Sequence, residues 1–143
     1  MAAGADAGYT ISTDPTRLDL AVIHGYLSRS SYWGIGRTLE TVQRSIEHSL
    51  CFAVLAPGGE QVGFARLVTD RATFAWLCDV FILDEHRGRG LSKRLMEAVL
   101  AHPDLGALKR IALRTKDAHE LYRRYGFTEL SQVETWMERL RPA

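Results

Sequence analysis

The stretch of residues 79–92 constrains the fold of this chain most, because it predicts a buried strand, a tight loop and the start of a helix in immediate succession. Residues 80–83 form a continuous run of apolar, β-favouring side chains, which is typical of a strand buried on both faces. The chain then becomes polar and glycine-containing over residues 87–90, and from Leu91 onward apolar residues recur at the spacing of one helix face. The sequence therefore predicts a strand that leads through a short loop into a helix.

This loop and helix start predict a binding site for a phosphate-bearing ligand. The first turn of a helix has unpaired N–H groups and a partial positive charge, and Gly88 and Gly90 permit close backbone approach and positive φ. Cationic side chains crowd the same place, at Arg87, Arg89, Lys93 and Arg94. The loop lacks the Gly-Lys-Ser/Thr ending of a Walker loop and the third glycine of a dinucleotide fingerprint. The alternative is an exposed left-handed turn whose arginines are solvated.

Two motifs in this chain resemble those of the GNAT superfamily of acetyl-CoA-dependent N-acetyltransferases. Residues 87–92, Arg-Gly-Arg-Gly-Leu-Ser, are similar to its R/Q-x-x-G-x-G/A signature, although Ser92 stands where the family usually has Gly or Ala. Residues 118–127, with Ala118, Tyr122, Gly126 and Phe127, are similar to its A-x-x-x-Y-x-x-x-G-F segment. The motifs occur in the family's order with one predicted strand between them. The resemblance extends over residues 9–140, as one N-acetyltransferase domain, and we expect residues 1–8 to be disordered or a remnant of cloning.

The remaining segments predict an α/β (α+β) fold in the order β-α-α-β-β-β-α-β-α-β-β. Strands are predicted where apolar or β-branched runs lie between turn residues, at 9–12, 51–55, 62–68, 73–83, around 111–113, 127–130 and 135–140. About four helices are predicted, at 15–28, 38–48, 91–102 and 117–125, with Asp117 as an N-cap and Gly126 as the terminating residue. We expect a central mixed, mostly antiparallel sheet in which one parallel pair of strands is splayed.

The resemblance implies where acetyl-CoA, as co-substrate, would bind. The strand ending at Leu83 and the strand around Ile111 would splay apart, and the pantetheine arm would lie between them against the backbone of Val80, Phe81 and Ile82. The pyrophosphate would meet backbone N–H groups of the loop, at Arg87, Gly88, Arg89, Gly90, Leu91 and Ser92. Tyr122 matches the family's usual general acid, which protonates the departing thiolate; a phenol can donate to such a thiolate. The alternative for Tyr122 is a ring packed in the core with its hydroxyl bonded to the backbone.

The general base and the acceptor site are less defined by the sequence. Asp79 is a carboxylate at the head of an apolar run, where it must be paired or hydrogen-bonded. It could act as a base through water, or it could tie down a neighbouring loop. Tyr32 and Trp33 lie among glycines and serines in a predicted loop between the first two helices. They could line the amine-binding site, or Trp33 could simply fill the edge of the core.

Composition narrows the function classes. The 143 residues suit one domain, and 18 Lys plus Arg against 17 Asp plus Glu create no global field for nucleic acid or an anionic membrane. No run of about 20 apolar residues and no zinc-like Cys/His spacing occurs, and we expect a cytoplasmic protein without a metal. The expected activity is acetyl transfer from acetyl-CoA to a primary amine of a small molecule or peptide. The alternative is a non-catalytic acyl-CoA-binding or regulatory module, and a homodimer is compatible with either.

Overall fold

The structure is a computed structural model that describes residues 8–142, so the predicted N-terminal tail lies outside the described residues apart from Gly8. Within this range the strands are β1 Thr10–Ser12, β2 Leu50–Leu55, β3 Gln61–Thr69, β4 Ala75–Ile82 and β5 Ile111–Leu113. The α-helices are α1 Leu20–Arg29, α2 Leu39–Glu47, α3 Leu91–Ala101, α4 Pro103–Gly106 and α5 His119–Arg123. Three short 3₁₀ turns complete the regular structure, at Pro15–Arg17, Asp84–His86 and Val133–Thr135.

The five strands form one mixed sheet in the order β1-β2-β3-β4-β5. Neighbours from β1 to β4 pair antiparallel, whereas β5 pairs parallel with β4. A parallel pair needs a crossover, and α3 supplies it between the two strands. This confirms the predicted mixed, mostly antiparallel sheet with one parallel pair.

The sheet buries a separate apolar cluster on each face. Alternate residues of a strand point to opposite faces, and the larger cluster joins Phe52, Val54, Leu67 and Leu77 to the buried side of α3. That side of α3 consists of Leu91, Leu95, Met96 and Val99. The smaller cluster joins Ile23 and Leu27 of α1 and Val42 of α2 to Phe64 and Phe81. The sheet is therefore covered on both faces, as the apolar run at residues 80–83 predicts.

The predicted first helix, residues 15–28, is wrong in its first part. A 3₁₀ turn at Pro15–Arg17 ends at Leu18, whose backbone is extended with ψ 133°. The helix α1 starts after Asp19, whose carboxylate accepts hydrogen bonds from the N–H groups of Ala21 and Val22. Asp19 is therefore a second N-cap that restarts the chain as a helix.

The two final predicted strands, 127–130 and 135–140, are also wrong. Among the described residues, this segment contains only the 3₁₀ turn Val133–Thr135, which follows Gln132 in a left-handed conformation with φ 56°. Met137 and Leu140 are 95% and 76% exposed, so their side chains cover no part of the sheet. An alternating pattern predicts a strand only where a partner edge is reached, and here none is.

Two details of the predicted last helix have different outcomes. Asp117 is not the N-cap: Ala118 occupies that position, and its N–H donates to the hydroxyl of Thr115. Gly126 has φ 89°, as expected of the residue that terminates a helix.

Candidate functional site

The two parallel strands pair over only three residues, and a cavity lies next to this pairing. Their register runs only from Ala75 opposite Ile111 to Leu77 opposite Leu113, whereas β4 continues to Ile82. A cavity of about 830 Å³ opens at this point. It is lined by β4 residues 76–80, by residues 113–118 at the end of β5 and beyond it, and by Tyr32, Trp33, Arg37, Arg66 and Tyr122. The predicted residues Tyr32, Trp33, Asp79, Val80 and Tyr122 are thus brought together.

A β-bulge at Asp79 shapes this part of β4. Arg66 of β3 lies opposite Cys78 and Phe64 opposite Phe81, so one residue of β3 faces two residues of β4. Asp79 itself has φ 54°, an uncommon conformation for a residue other than glycine. The extra residue reverses the alternation of side chains along the strand. Leu77 and Ile82 consequently lie in the larger cluster although they are an odd number of residues apart.

The carboxylate of Asp79 is buried and accepts hydrogen bonds at both oxygens. The residue is 4% exposed. Its Oδ2 accepts from Nη1 of Arg37 and Nε of Arg66, both at 2.8 Å, and its Oδ1 accepts from Nε1 of Trp33 at 3.0 Å. Arg37 and Trp33 belong to the connection between α1 and α2, so Asp79 fastens that connection to the sheet. Each oxygen is thus bound to a protein side chain.

Sequence reasoning missed Arg37 and Arg66 as partners of Asp79. A signal existed for Arg66, because it is a charged residue inside an otherwise apolar strand run and needs a buried partner. Arg37 lies in an irregular segment, where the sequence contains no comparable signal.

Tyr122 lines the cavity, and its hydroxyl has no hydrogen-bond partner among the described residues. Tyr122 is 8% exposed, and its ring contacts Phe127 edge-on with 5.8 Å between centroids. No hydrogen bond joins its hydroxyl to another residue in the described part of the chain. Burial raises the pKa of Tyr122 to about 12, with smaller contributions from Tyr32 and Asp117. At neutral pH the site therefore contains a protonated phenol whose O–H is free to donate.

The glycine loop has the backbone that a phosphate site requires. Gly88 and Gly90 have φ of 79° and 74°, and Gly90 is the N-cap residue of α3. A Cβ placed at either glycine would meet no heavy atom within 4 Å, so the space beside the backbone is open. The first hydrogen bond of the helix runs from the N–H of Arg94 to the carbonyl of Gly90, which leaves the N–H groups of Leu91 and Ser92 in the first turn outside the helical ladder.

The arginines of this loop differ in their surroundings. Arg87 donates from Nε to the carbonyl of Ile82 and from Nη2 to the hydroxyl of Tyr26, and it pairs with Asp84 at 3.2 Å. Arg87 therefore ties the loop to the end of β4. Arg89 lies over the ring of Tyr9 at 5.7 Å.

Phe81 and Ile82, predicted to lie along the pantetheine arm, have side chains in the core. Phe81 stacks on Tyr26 with 4.2 Å between ring centroids, and Ile82 is 5% exposed. Neither side chain lines the cavity. Any contribution of these two residues to binding would come from their main chain, as the resemblance implies.

Tyr32 and Trp33 form an aromatic corner of the cavity. Their rings are nearly perpendicular with centroids 5.0 Å apart, and they are 49% and 38% exposed. The hydroxyl of Tyr32 accepts from the N–H of Lys116, and the Nζ of Lys116 lies 5.6 Å from the centre of the Tyr32 ring. The connection between α1 and α2 thus reaches across the cavity to the segment after β5.

Two other features of residues 8–142 bear on function. They contain no group of three or more His, Cys, Asp or Glu side chains that could hold a metal ion. None of the helices in this range is long and apolar enough to cross a membrane.

Comparisons with known proteins agree with this geometry. The family description "Acetyltransferase (GNAT) domain" matches residues 47–129. A "putative acetyltransferase" of Gibberella zeae is 32% identical over 136 residues, covering 80% of this chain and 75% of its own. A crystal structure of a "putative acetyltransferase belonging to the gnat family" from Xanthomonas campestris pv. campestris is 53% identical, with a TM-score of 0.90 and 94% of each chain covered. A "putative acetyltransferase" structure from Deinococcus radiodurans, 23% identical with a TM-score of 0.72 over 94% of this chain and 89% of its own, shares the fold. The chain therefore belongs to the GNAT family of acetyltransferases.

Proposed function

We propose that this protein transfers an acetyl group from acetyl-CoA to a primary amine of a small molecule or peptide. The observation that carries the proposal is that Tyr122 lines the cavity between β4 and β5 and that its hydroxyl bonds to no other residue in the range 8–142. A protein that only bound acyl-CoA would have no need of a proton donor there. We also propose residues 9–140 as the extent of the catalytic domain.

The loop before α3 would hold the pyrophosphate of acetyl-CoA. The two left-handed glycines leave open space beside the backbone, and the N–H groups of Leu91 and Ser92 lie in the first turn of α3. The side chain of Leu91 is buried in the core, so only its N–H is available to the ligand. The pantetheine arm would then extend along β4 past Val80 into the cavity, because there β4 has no pairing with β5.

Within the cavity the amine would attack the carbonyl carbon of the thioester. The new C–N bond forms, the C–S bond breaks, and the proton lost by the amine goes to water. The hydroxyl of Tyr122 would donate a hydrogen bond to sulfur as negative charge develops there. With a pKa of about 12, Tyr122 remains protonated at neutral pH and can stabilise a thiolate whose thiol has a pKa of roughly 8.5.

Asp79 acts in this proposal as a positioning residue. Its oxygens accept hydrogen bonds from Trp33, Arg37 and Arg66, so it holds the acceptor side of the cavity in place. The other role open to it, proton acceptance through water, would require an oxygen that reaches the amine past these three donors.

A two-part experiment tests the proposal. Thermal unfolding with CoA measures binding, because a ligand at about 100 times its Kd stabilises by about 2.7 kcal/mol. Release of CoA thiol with a panel of amines measures transfer. We expect Tyr122→Phe to lower kcat by about 10²-fold while the CoA-induced rise in Tm is unchanged. Tyr125→Phe is the matched control, because Tyr125 lies just after the same helix but donates to the carbonyl of Lys93 outside the cavity.

The outcomes separate the two functions. Stabilisation by CoA without thiol release from any amine would identify a non-catalytic acyl-CoA-binding module. No stabilisation at saturating CoA would contradict both functions.

A further inference from the structure

The cavity between β4 and β5 has an excess of positive charge. Four basic residues and two acidic residues line it: Arg37, Arg66, Arg114 and Lys116, and Asp79 and Asp117. The whole chain is nearly neutral, with 18 basic against 17 acidic residues. The excess is therefore a local property of this cavity.

One of the two excess positive charges lies on buried side chains, where two guanidinium groups share one carboxylate. Both Arg37 and Arg66 bond to the same oxygen of Asp79, and their side chains are 22% and 14% exposed. One carboxylate neutralises one of these charges, and the second remains in a largely desolvated place. Such a charge is costly unless an anion approaches it.

Arg37 is the residue placed to meet that anion. Only its Nη1 is used in the bond to Asp79, and within residues 8–142 its Nε and Nη2 donate to no other group. Arg66 uses Nε for Asp79 and Nη1 for the hydroxyl of Ser49. Arg37, which lines the cavity, therefore has two nitrogens without a hydrogen-bond partner in this range where Arg66 has one, in the planar arrangement that suits a carboxylate or phosphate.

Acetyl-CoA does not account for this charge. Its negative charges are its phosphates, and the glycine loop proposed to hold the pyrophosphate, residues 88–92, does not line the cavity. The pantetheine arm and the acetyl group, which would occupy the cavity, are uncharged. The ring of Tyr32 also offers little to a cationic acceptor, because Lys116 already lies over it.

We propose that the acceptor is an amine that also carries an anionic group, a carboxylate or a phosphate, and that Arg37 binds this group. The inference rests on the proposed acetyl transfer and specifies the acceptor for that reaction. Arg37 is thereby a specificity-determining residue, and Trp33 and Tyr32 line the apolar side of the same acceptor site.

Matched pairs of acceptors test the proposal. Each pair has the same amine with and without the anion: β-alanine and its amide, and phosphoethanolamine and ethanolamine. We expect the anionic member of at least one pair to have a higher kcat/KM by roughly ten- to a hundredfold, the range of one charge-assisted hydrogen bond or a bidentate pair. The two pairs distinguish a carboxylate from a phosphate as the preferred group.

Variants of Arg37 test whether the preference for an anionic group depends on this residue. Arg37→Gln should raise KM for the member with the anion by roughly tenfold or more. It should leave KM for the member without the anion and the CoA-induced rise in Tm unchanged. Arg37→Lys should retain part of the preference, and it remains informative if the Gln variant folds poorly. Arg44→Gln is the control, because Arg44 is an exposed arginine on α2 outside the cavity.

Three results are decisive against the proposal or its basis. Acetyl transfer with no preference for the anionic member of either pair would overturn it while leaving the proposed function intact. Equal losses for both members in Arg37→Gln would assign Arg37 a purely structural role. A protein that acetylates no amine would contradict the proposed function itself.

Discussion

Replacement of Asp79 by Asn separates its two candidate roles, because the change removes the charge and keeps the shape. Asn tolerates the left-handed conformation that Asp79 adopts at φ 54°, so the bulge should persist. Its amide oxygen can still accept one hydrogen bond, for example from Trp33. What is lost is the negative charge between the guanidinium groups of Arg37 and Arg66.

The expected loss of stability follows from how deeply the ion pairs of Asp79 are buried. Breaking a buried ion pair costs about 3–5 kcal/mol, but the two guanidinium groups here are 22% and 14% exposed and remain partly hydrated. We therefore expect Asp79→Asn to lower the free energy of unfolding by about 2–4 kcal/mol, a drop in Tm of roughly 6–12 °C for a chain of this size. Asp104→Asn is the control, because its pair with Arg71 is exposed on both sides and should contribute less than about 1 kcal/mol.

Denaturant unfolding and steady-state kinetics of Asp79→Asn distinguish a positioning residue from a general base. A positioning residue should affect Tm and the acceptor KM, with kcat changing much less. A general base should affect kcat by about 10²-fold or more and abolish the acidic limb of the pH profile. Unchanged unfolding together with such a loss of kcat would refute the positioning role and identify Asp79 as the base.

Three further predictions concern the glycine loop, the packing of the sheet and the pKa of Tyr122. Gly90→Val should weaken CoA binding at least tenfold with the fold retained, because a β-branched residue disfavours φ 74° by about 1–2 kcal/mol and would obstruct the phosphate. Calorimetry measures the Kd for CoA, and Gly106→Val is the control. Gly63→Ala should lower the free energy of unfolding by about 1–3 kcal/mol, because the added Cβ would lie 2.7 Å from Ile82 Cδ1 and 2.9 Å from Val54 Cβ. A Tm equal to that of the wild type would contradict this packing. Burial raises the pKa of Tyr122 to about 12, so the protonated phenol favours the folded state. The free energy of unfolding should therefore fall by roughly 2 kcal/mol between pH 10 and 12 in the wild type but not, for this reason, in Tyr122→Phe. Identical alkaline unfolding of both proteins would exclude the shift.

The glycine loop could be predicted from the sequence because its determinants are local. An apolar run, two glycines and a helix-period pattern follow one another within residues 79–99, and each acts on its own backbone. The positive φ of Gly88 and Gly90 and the start of α3 at Leu91 follow from these residues alone. The capping of α2 by Thr38 is local in the same way.

The final strands could not be predicted reliably, because a strand depends on a partner that is remote in sequence. Residues 135–140 have β-compatible composition, yet Trp136 is used differently: Arg110 lies over its ring at 5.1 Å. Pairing depends on whether the segment reaches the edge of β5, and no local pattern encodes that distance.

The bulge at Asp79 is the feature that connects these parts of the site, and the sequence conceals it. In a regular strand, Leu77, Asp79 and Phe81 would share one face, and the carboxylate would point into the larger apolar cluster. One inserted residue reverses the alternation, so Ile82 rejoins the face of Leu77 while Asp79 bonds to groups from the α1–α2 side. A continuous apolar run contains no polar alternation that could reveal this change. The same insertion accounts for the buried carboxylate, the two arginines bonded to it and the positive charge that remains, so the proposed acceptor side of the cavity depends on a single backbone irregularity in β4.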